Sequence, residues 1–290
     1  MQVSLAQLDV RLKKGIDPVY TLHGDEPLLL QEAADSIRAA ARRQGFAERS
    51  VFSVVGARFD WAGVLGDLGS QSLFAERRIV EVQLPSGKPG KDGGDALQRL
   101  AQAQTGSDST LCLVLLPRLD KATRASAWFS ALDRAGVSVP IEQVERAALP
   151  VWIGQRLARQ DQRVASGEAG QRALQFFADR VEGNLLAAHQ EVLKLGLLYP
   201  PGELSLEQIE RAVLDVARYN VLKLFESVLA GQALRVQRML DGLEAEGEPV
   251  VRVHYLLAEE IRALKRVKDA MAAGRPLPAA LAEQRIWGVR

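Results

Sequence analysis

The sequence predicts an α/β domain followed by a wholly helical second half. Three observations carry this. Short apolar runs alternate with helix-period patterns over the first 140 or so residues. No convincing strand pattern appears after about Pro140, and helix-start signals recur through the remainder.

The first strand is Val19-Tyr20-Thr21-Leu22. Pro27 then stands in the first turn of a helix whose apolar residues Leu30, Ala33, Ile37 and Ala41 recur at helical spacing, with Gly45 beyond its end. Further strands are expected at 51–55, 79–82, 111–116 and 137–139. A helix bearing Trp128, Phe129 and Leu132 on one face lies between the last two. Strand, helix, strand, helix is the pattern of a parallel sheet covered on both faces. Residues 85–94 are rich in Gly, Pro and Lys and read as a flexible surface loop.

In the second half, Pro150 opens a helix with Trp152, Ile153 and Leu157. Two more hold Ala173, Leu174, Phe177 and Val181, and then Leu185, Leu186, Val192 and Leu193. Ser205 with Gln208 three residues on forms a capping box ahead of Leu206, Ile209 and Val213. Asn220 is read as the cap of a helix with Leu224, Phe225 and Val228, which stops at Gly231. Leu234, Met239, Leu240 and Leu243 follow. The longest helix starts after Pro249, with Val253, Leu257, Ile261, Leu264 and Val267 on one stripe. These patterns divide the chain into an α/β domain over 1–140, a helical piece over 141–215 and a helical region over 216–290. The last is expected to be incomplete, because Trp287-Gly288-Val289-Arg290 follows an apolar-periodic stretch with no closing element.

Composition narrows the function classes. The chain has 290 residues, 47% of them hydrophobic and 25% charged, as in an ordinary globular protein. Lys and Arg total 37 against 36 Asp and Glu, so the clear basic excess of a protein that coats DNA alone is missing. Any nucleic-acid contact is therefore local or shared with partners. One cysteine, Cys112, excludes an internal disulfide and reads as a small buried hydrophobe. No apolar run is long enough to span a bilayer, and the amphipathic N-terminus is no signal peptide, so the cytosol is the expected compartment.

Catalytic constellations are scarce. His23, His189 and His254 show no metal-ligand spacing with one another or with Cys112, so no metal or cofactor is expected. Acidic pairs such as Glu259-Glu260 read as a solvated helix face. A working P-loop, Gly-x-x-x-x-Gly-Lys-Ser/Thr, belongs between the first strand and its helix. This chain has Gly24-Asp25-Glu26-Pro27 there, with no lysine, no second glycine and two carboxylates that repel phosphate. Gly90-Lys91 in the later loop lacks the leading Gly and the following hydroxyl. Neither nucleotide binding nor hydrolysis is expected.

Two recognition elements stand out. In Gln71-Ser72-Leu73-Phe74, the adjacent apolar side chains have polar or small neighbours. They either close the domain core or project into a partner's pocket; the residues alone leave both open. The second combines Arg262, Lys265, Arg266 and Lys268 with Arg285, Trp287 and Arg290, a mixture that suits phosphate attraction plus base stacking. A solvated charged face explains it equally well.

The runs Tyr20-Thr21-Leu22-His23-Gly24-Asp25-Glu26-Pro27-Leu28-Leu29-Leu30-Gln31-Glu32, Ser72-Leu73-Phe74-Ala75, Ala127-Trp128-Phe129, Glu182-Gly183-Asn184-Leu185-Leu186-Ala187, Gly247-Glu248-Pro249-Val250 and Arg285-Ile286-Trp287 occur in an order and spacing that is specific. On these the chain resembles the delta subunits of bacterial DNA polymerase III, the clamp-opening component of the clamp loader. The resemblance implies an AAA+ type fold: an α/β module with a P-loop-like frame but no working P-loop, a small helical lid and a helical collar. It also implies that Leu73 and Phe74 enter a pocket on the beta sliding clamp, flanked by Gln71 and Ser72. The implied partners are the clamp, the delta-prime and gamma/tau subunits, and primed DNA within the complex. A non-catalytic helical adaptor for another partner is the alternative.

Overall fold

The computed structural model describes residues 1–56, 59–69, 77–104, 108–213, 221–284 and 286. The chain forms two compact units, Met1–Val144 and Glu145–Arg290.

The first unit is built on a five-stranded parallel sheet. Its elements are α1 (Leu5–Leu12), β1 (Val19–Gly24), α2 (Pro27–Arg43), β2 (Glu48–Ser53), α3 (Trp61–Gly69), β3 (Arg78–Gln83), α4 (Gly90–Ala103), β4 (Thr110–Leu116), α5 (Lys121–Arg124), α6 (Ala127–Ala135) and β5 (Val137–Ile141). The strand order is β2-β3-β4-β1-β5, with every pairing parallel. Because side chains alternate across a strand, central β4 serves two cores. Leu111 and Leu113 join Tyr20, Leu22 and Ile37 of α2 on one face, while Cys112 and Val114 join Leu97, Leu100 and Leu132 on the other. That double burial is why β4 is apolar from Leu111 to Leu116.

A buried ion pair lies between β3 and α2. Glu81 of β3 is fully buried and accepts from Arg38 of α2, through Nε at 3.0 Å and Nη2 at 2.9 Å. Arg49 of β2 (3.1 Å) and Gln83 (2.8 Å) complete its shell. The carboxylate thus enters the interior fully paired.

The second unit contains α7 (Leu149–Ala158), β6 (Gln162–Val164), α8 (Glu168–Val181), α9 (Leu185–Leu198), β7 (Gly202–Leu204), α10 (Leu206–Ala212), α11 (Val221–Leu229), α12 (Ala233–Ala245), α13 (Val250–Ala272) and α14 (Leu277–Glu283). Ile153, Leu157, Phe177, Val192, Leu195 and Ile209 are buried among the earlier helices. The capping box at Ser205 and Gln208 is present, with Gln208 N donating to Ser205 Oγ at 3.2 Å and Ser205 N to Gln208 Oε1 at 2.8 Å. A second cluster gathers Val221, Leu224, Met239, Leu243 and Val253.

The structure departs from the sequence expectations in four places. Residues 90–94, read as loop, are the first turn of α4, where Gly93 and Gly94 are buried. A parallel pair, β6–β7, occurs where no strand was expected; each strand has three residues, too few to show a period. The second strand begins at Glu48 rather than Val51. Ile261 and Leu264, on the apolar stripe of α13, are 58% and 46% exposed, whereas Val253 and Val267 of the same stripe are buried.

Candidate functional site

In a parallel sheet the carboxyl ends of the strands form the usual ligand crevice, so the β1–α2 turn is the first place to look. Only Asp25 and Glu26 separate Gly24, the last residue of β1, from Pro27, the first of α2. A Cβ at Gly24 would lie 1.9 Å from the carbonyl oxygen of Ile141, so the backbones of β1 and β5 touch there. Asp25 faces the loop after β4, its Oδ1 accepting from Arg118 N at 3.1 Å. Burial pushes the Glu26 carboxyl upward, against a hydrogen bond from the Leu28 amide. Pro27 takes one donor from the helix start. Phosphate would meet two carboxylates and a closed turn here, where a cradle of amides and a lysine is needed.

His23, beside this turn, is buried and stands edge-on to Phe129, with ring centroids 5.4 Å apart. Burial lowers its pKa, and Arg124 lowers it further. Its ring is thus part of the core packing. Among the described residues no three His, Cys, Asp or Glu side chains gather as a metal site. Burial also pushes the Cys112 thiol far up.

The Gln71-Ser72-Leu73-Phe74 run lies outside the described residues; the elements on either side are well fixed. Asp60 Oδ1 accepts from the Ala62 amide at 3.0 Å and starts α3. Trp61 is buried, edge-on to Phe59, and rests where Gly93 of α4 has no side chain; a Cβ there would be 2.6 Å from the indole. Val64 is buried in the same core, and Asp67 pairs with Arg78 at 3.6 Å. The chain from Gly69 to Arg77 is thus held at both ends by helix packing and the central sheet.

Arg262, Lys265, Arg266 and Lys268 are all exposed on α13. Arg262 pairs with Glu259 at 2.7 Å, Lys265 with Asp269 at 2.6 Å, and Arg266 Nε donates to Gln284 at 2.5 Å. Three of the four therefore share one face with two carboxylates, in the i,i+3 and i,i+4 relation. Lys268, four residues after Leu264 and seven after Ile261, belongs by helical position to their side of α13. Arg285, Trp287 and Arg290 lie outside the described residues, as does Asn220.

A charge cluster that sequence reasoning missed joins α8 to α12. Asp179 accepts from Arg146 at 2.9 Å and from Arg238 at 2.5 Å. Glu182, which is buried where Asp179 is only partly so, pairs with Arg146 at 3.2 Å and with Arg235, whose Nη1 donates to Ser227 at 2.8 Å. The i,i+3 spacing of Arg235 and Arg238 was visible, but their partners are more than fifty residues away.

The chain matches the family model described as DNA polymerase III, delta subunit, over residues 20–142. It is 34% identical to the DNA polymerase III subunit delta of Escherichia coli, across 97% of this chain and 79% of that one. The corresponding Haemophilus influenzae subunit is 28% identical, across 90% and 75%. A solved structure described as the Bacillus subtilis DNA clamp loader delta protein superposes with a TM-score of 0.53, at 19% identity, over 97% of this chain and 83% of that one.

Proposed function

This chain belongs to the DNA polymerase III delta subunit family, and from that premise we propose that it binds and opens the beta sliding clamp without hydrolysing ATP. Membership makes it a clamp-loader component in DNA replication. The observation that carries the finer reading is the Leu73-Phe74 pair, set in polar surroundings between two fixed elements, α3 and β3. Burying both side chains in a partner pocket contributes roughly 1.5 to 3 kcal/mol each, enough for a hot spot. Gln71 and Ser72 supply directional hydrogen bonds beside it.

Opening a closed ring requires tighter binding to its open form, because a ligand shifts an equilibrium only by its differential affinity. The apolar pair supplies most of the affinity, and the rigid α/β frame behind it supplies the bias. ATP is left to other subunits: the short, acidic β1–α2 turn argues against phosphate binding here. The delta-prime and gamma/tau subunits are the proposed neighbours, with 141–215 as lid and 216–290 as collar.

Clamp release from circular DNA is the test. Leu73→Ala/Phe74→Ala protein should fail to release the clamp and fail to retain it in a pull-down. Undiminished release would remove the pair from the mechanism. If the unaltered protein retains no clamp at all, the adaptor alternative stands instead. Saturable binding in an ATP titration would overturn the nucleotide-free reading.

Contact with primed DNA is a second reading, favoured by the exposure of Arg262, Lys265, Arg266 and Lys268 on α13. Salt-dependent affinity for a primed template, lost in Trp287→Ala, supports it; affinity unchanged by that substitution counts against it.

A further inference from the structure

All strands of the first sheet run the same way, so the chain enters each of them along one edge. Five cations collect there. Lys13 and Lys14 follow α1 on the way into β1, Arg42 and Arg43 form the last turn of α2, and Arg77 directly precedes β3. All five are exposed. Arg77 Nη1 donates to the Gln44 carbonyl at 2.8 Å, and its guanidinium lies 5.6 Å from the centre of the Phe46 ring. It is thereby fixed against the turn that follows Arg42 and Arg43. Among the described residues none of Lys13, Lys14, Arg42 and Arg43 meets a carboxylate. The nearby Asp17 is occupied by Arg11, at 2.7 Å. The dipoles of α1 and α2 reward cations at 13–14 and at 42–43, but they give no reason for Arg77. In a chain with net charge near +1 this is a local concentration.

We propose that this edge is an electrostatic docking rim for an acidic protein surface, the part of the clamp adjoining the pocket that takes Leu73 and Phe74. The inference rests on the clamp-binding reading above. Covalent geometry supports it: Arg77 follows Phe74 by three positions, and an extended chain spans at most about 3.6 Å per residue. A cation at 77 therefore stands within about 11 Å of Phe74, Cα to Cα. A nucleic acid suits the edge less well. The rings at this edge, Phe46 beneath Arg77 and Tyr20 beside Asp17, are both buried and offer no base a stacking surface. Charges placed around an apolar hot spot act chiefly on the rate of encounter.

The experiment measures association and dissociation rates on immobilised sliding clamp at low and high salt. The proteins compared are the unaltered chain, Arg42→Glu/Arg43→Glu, the milder Arg42→Gln/Arg43→Gln, and Leu73→Ala/Phe74→Ala. Charge reversal should slow association about tenfold at low salt and flatten its salt dependence, with dissociation little changed. The neutral variant should fall between, which guards against a folding defect from glutamates at a helix end. Leu73→Ala/Phe74→Ala should instead speed dissociation. Unchanged association of both arginine variants overturns the rim. So does loss of affinity for a DNA duplex with clamp kinetics intact. If only the Leu73/Phe74 variant behaves as unaltered protein while charge reversal still slows association, the apolar plug fails and the rim stands.

Discussion

Replacing Arg38 with methionine should destabilise the first unit more than replacing Arg38 and Glu81 together. Glu81 is fully buried, and Arg38, 5% exposed, covers it with a two-pronged guanidinium contact at 2.9–3.0 Å. Removing one partner of a buried ion pair costs about 3–5 kcal/mol, because the other is left charged in a medium of low polarity. Arg49 and Gln83 still reach the carboxylate, at 3.1 and 2.8 Å, which favours the lower end of that range. Replacing both ions by apolar groups removes the uncompensated charge, so Arg38→Met/Glu81→Met should recover about 1–2 kcal/mol or more. Urea unfolding, followed by circular dichroism and by tryptophan fluorescence, measures this. With a slope of about 2 kcal/mol per molar, the single variant should lose roughly 1.5 M in midpoint. Trp61 and Trp128 report on the first unit, and coincident transitions from the two probes are needed before the shift is converted to free energy. A double variant as unstable as the single one, or worse, would refute the reasoning. The ion pair would then be a source of stability in its own right.

Gly24→Ala should destabilise the protein by about 1–3 kcal/mol or more, since its Cβ would sit 1.9 Å from the Ile141 carbonyl oxygen; an unchanged melting temperature contradicts that contact. Cys112 should resist thiol reagents in the native state and react only as the first unit unfolds, because burial raises its pKa and closes access; rapid labelling of folded protein contradicts the central position of β4. Burial alone would raise the Asp179 carboxyl, but hydrogen bonds from Arg238 and Gln175 and the charges of Arg238 and Arg146 outweigh it and hold the group below its ordinary value. A lowered folded pKa means that its stabilising effect is complete above the unfolded value near 4 and disappears as pH falls through the folded one. Asp179→Asn should therefore lower the stability of the second unit at neutral pH, with the difference vanishing in acid; a pH-independent difference refutes the charge pairing.

The sheet and its helices were largely legible because their signals are local. Pro27 and Gly45 bracket α2, and the unbroken apolar run of β4 reflects burial on two faces. The unsuited β1–α2 turn was legible for the same reason, since a phosphate cradle needs specific residues at consecutive positions. What escaped depended on distant parts of the chain. Gly93 reads as loop chemistry until the indole of Trp61 is found against it. Arg38 looks like a solvent-facing helix residue until Glu81 comes beneath it. Arg42-Arg43 and Lys13-Lys14 were visible as doublets, yet only the parallel strand order gathers them along one edge. Ile261 and Leu264 obeyed the helical period and still lie exposed, because periodicity tells which side chains share a face and not whether anything covers it.

The arginines of α12 bear on how the second unit can be dissected. Arg235 and Arg238 reach back across more than fifty residues to Glu182 and Asp179. Any protease nick or designed truncation between 213 and 221 that releases the C-terminal helices strips both acids of those counterions. Arg146 would then face both carboxylates, one of them buried, without the two arginines of α12. A shortened fragment should therefore be salt-sensitive and prone to aggregate, and neutralising substitutions at 179 and 182 are the rational first remedy for anyone seeking to study that piece in isolation.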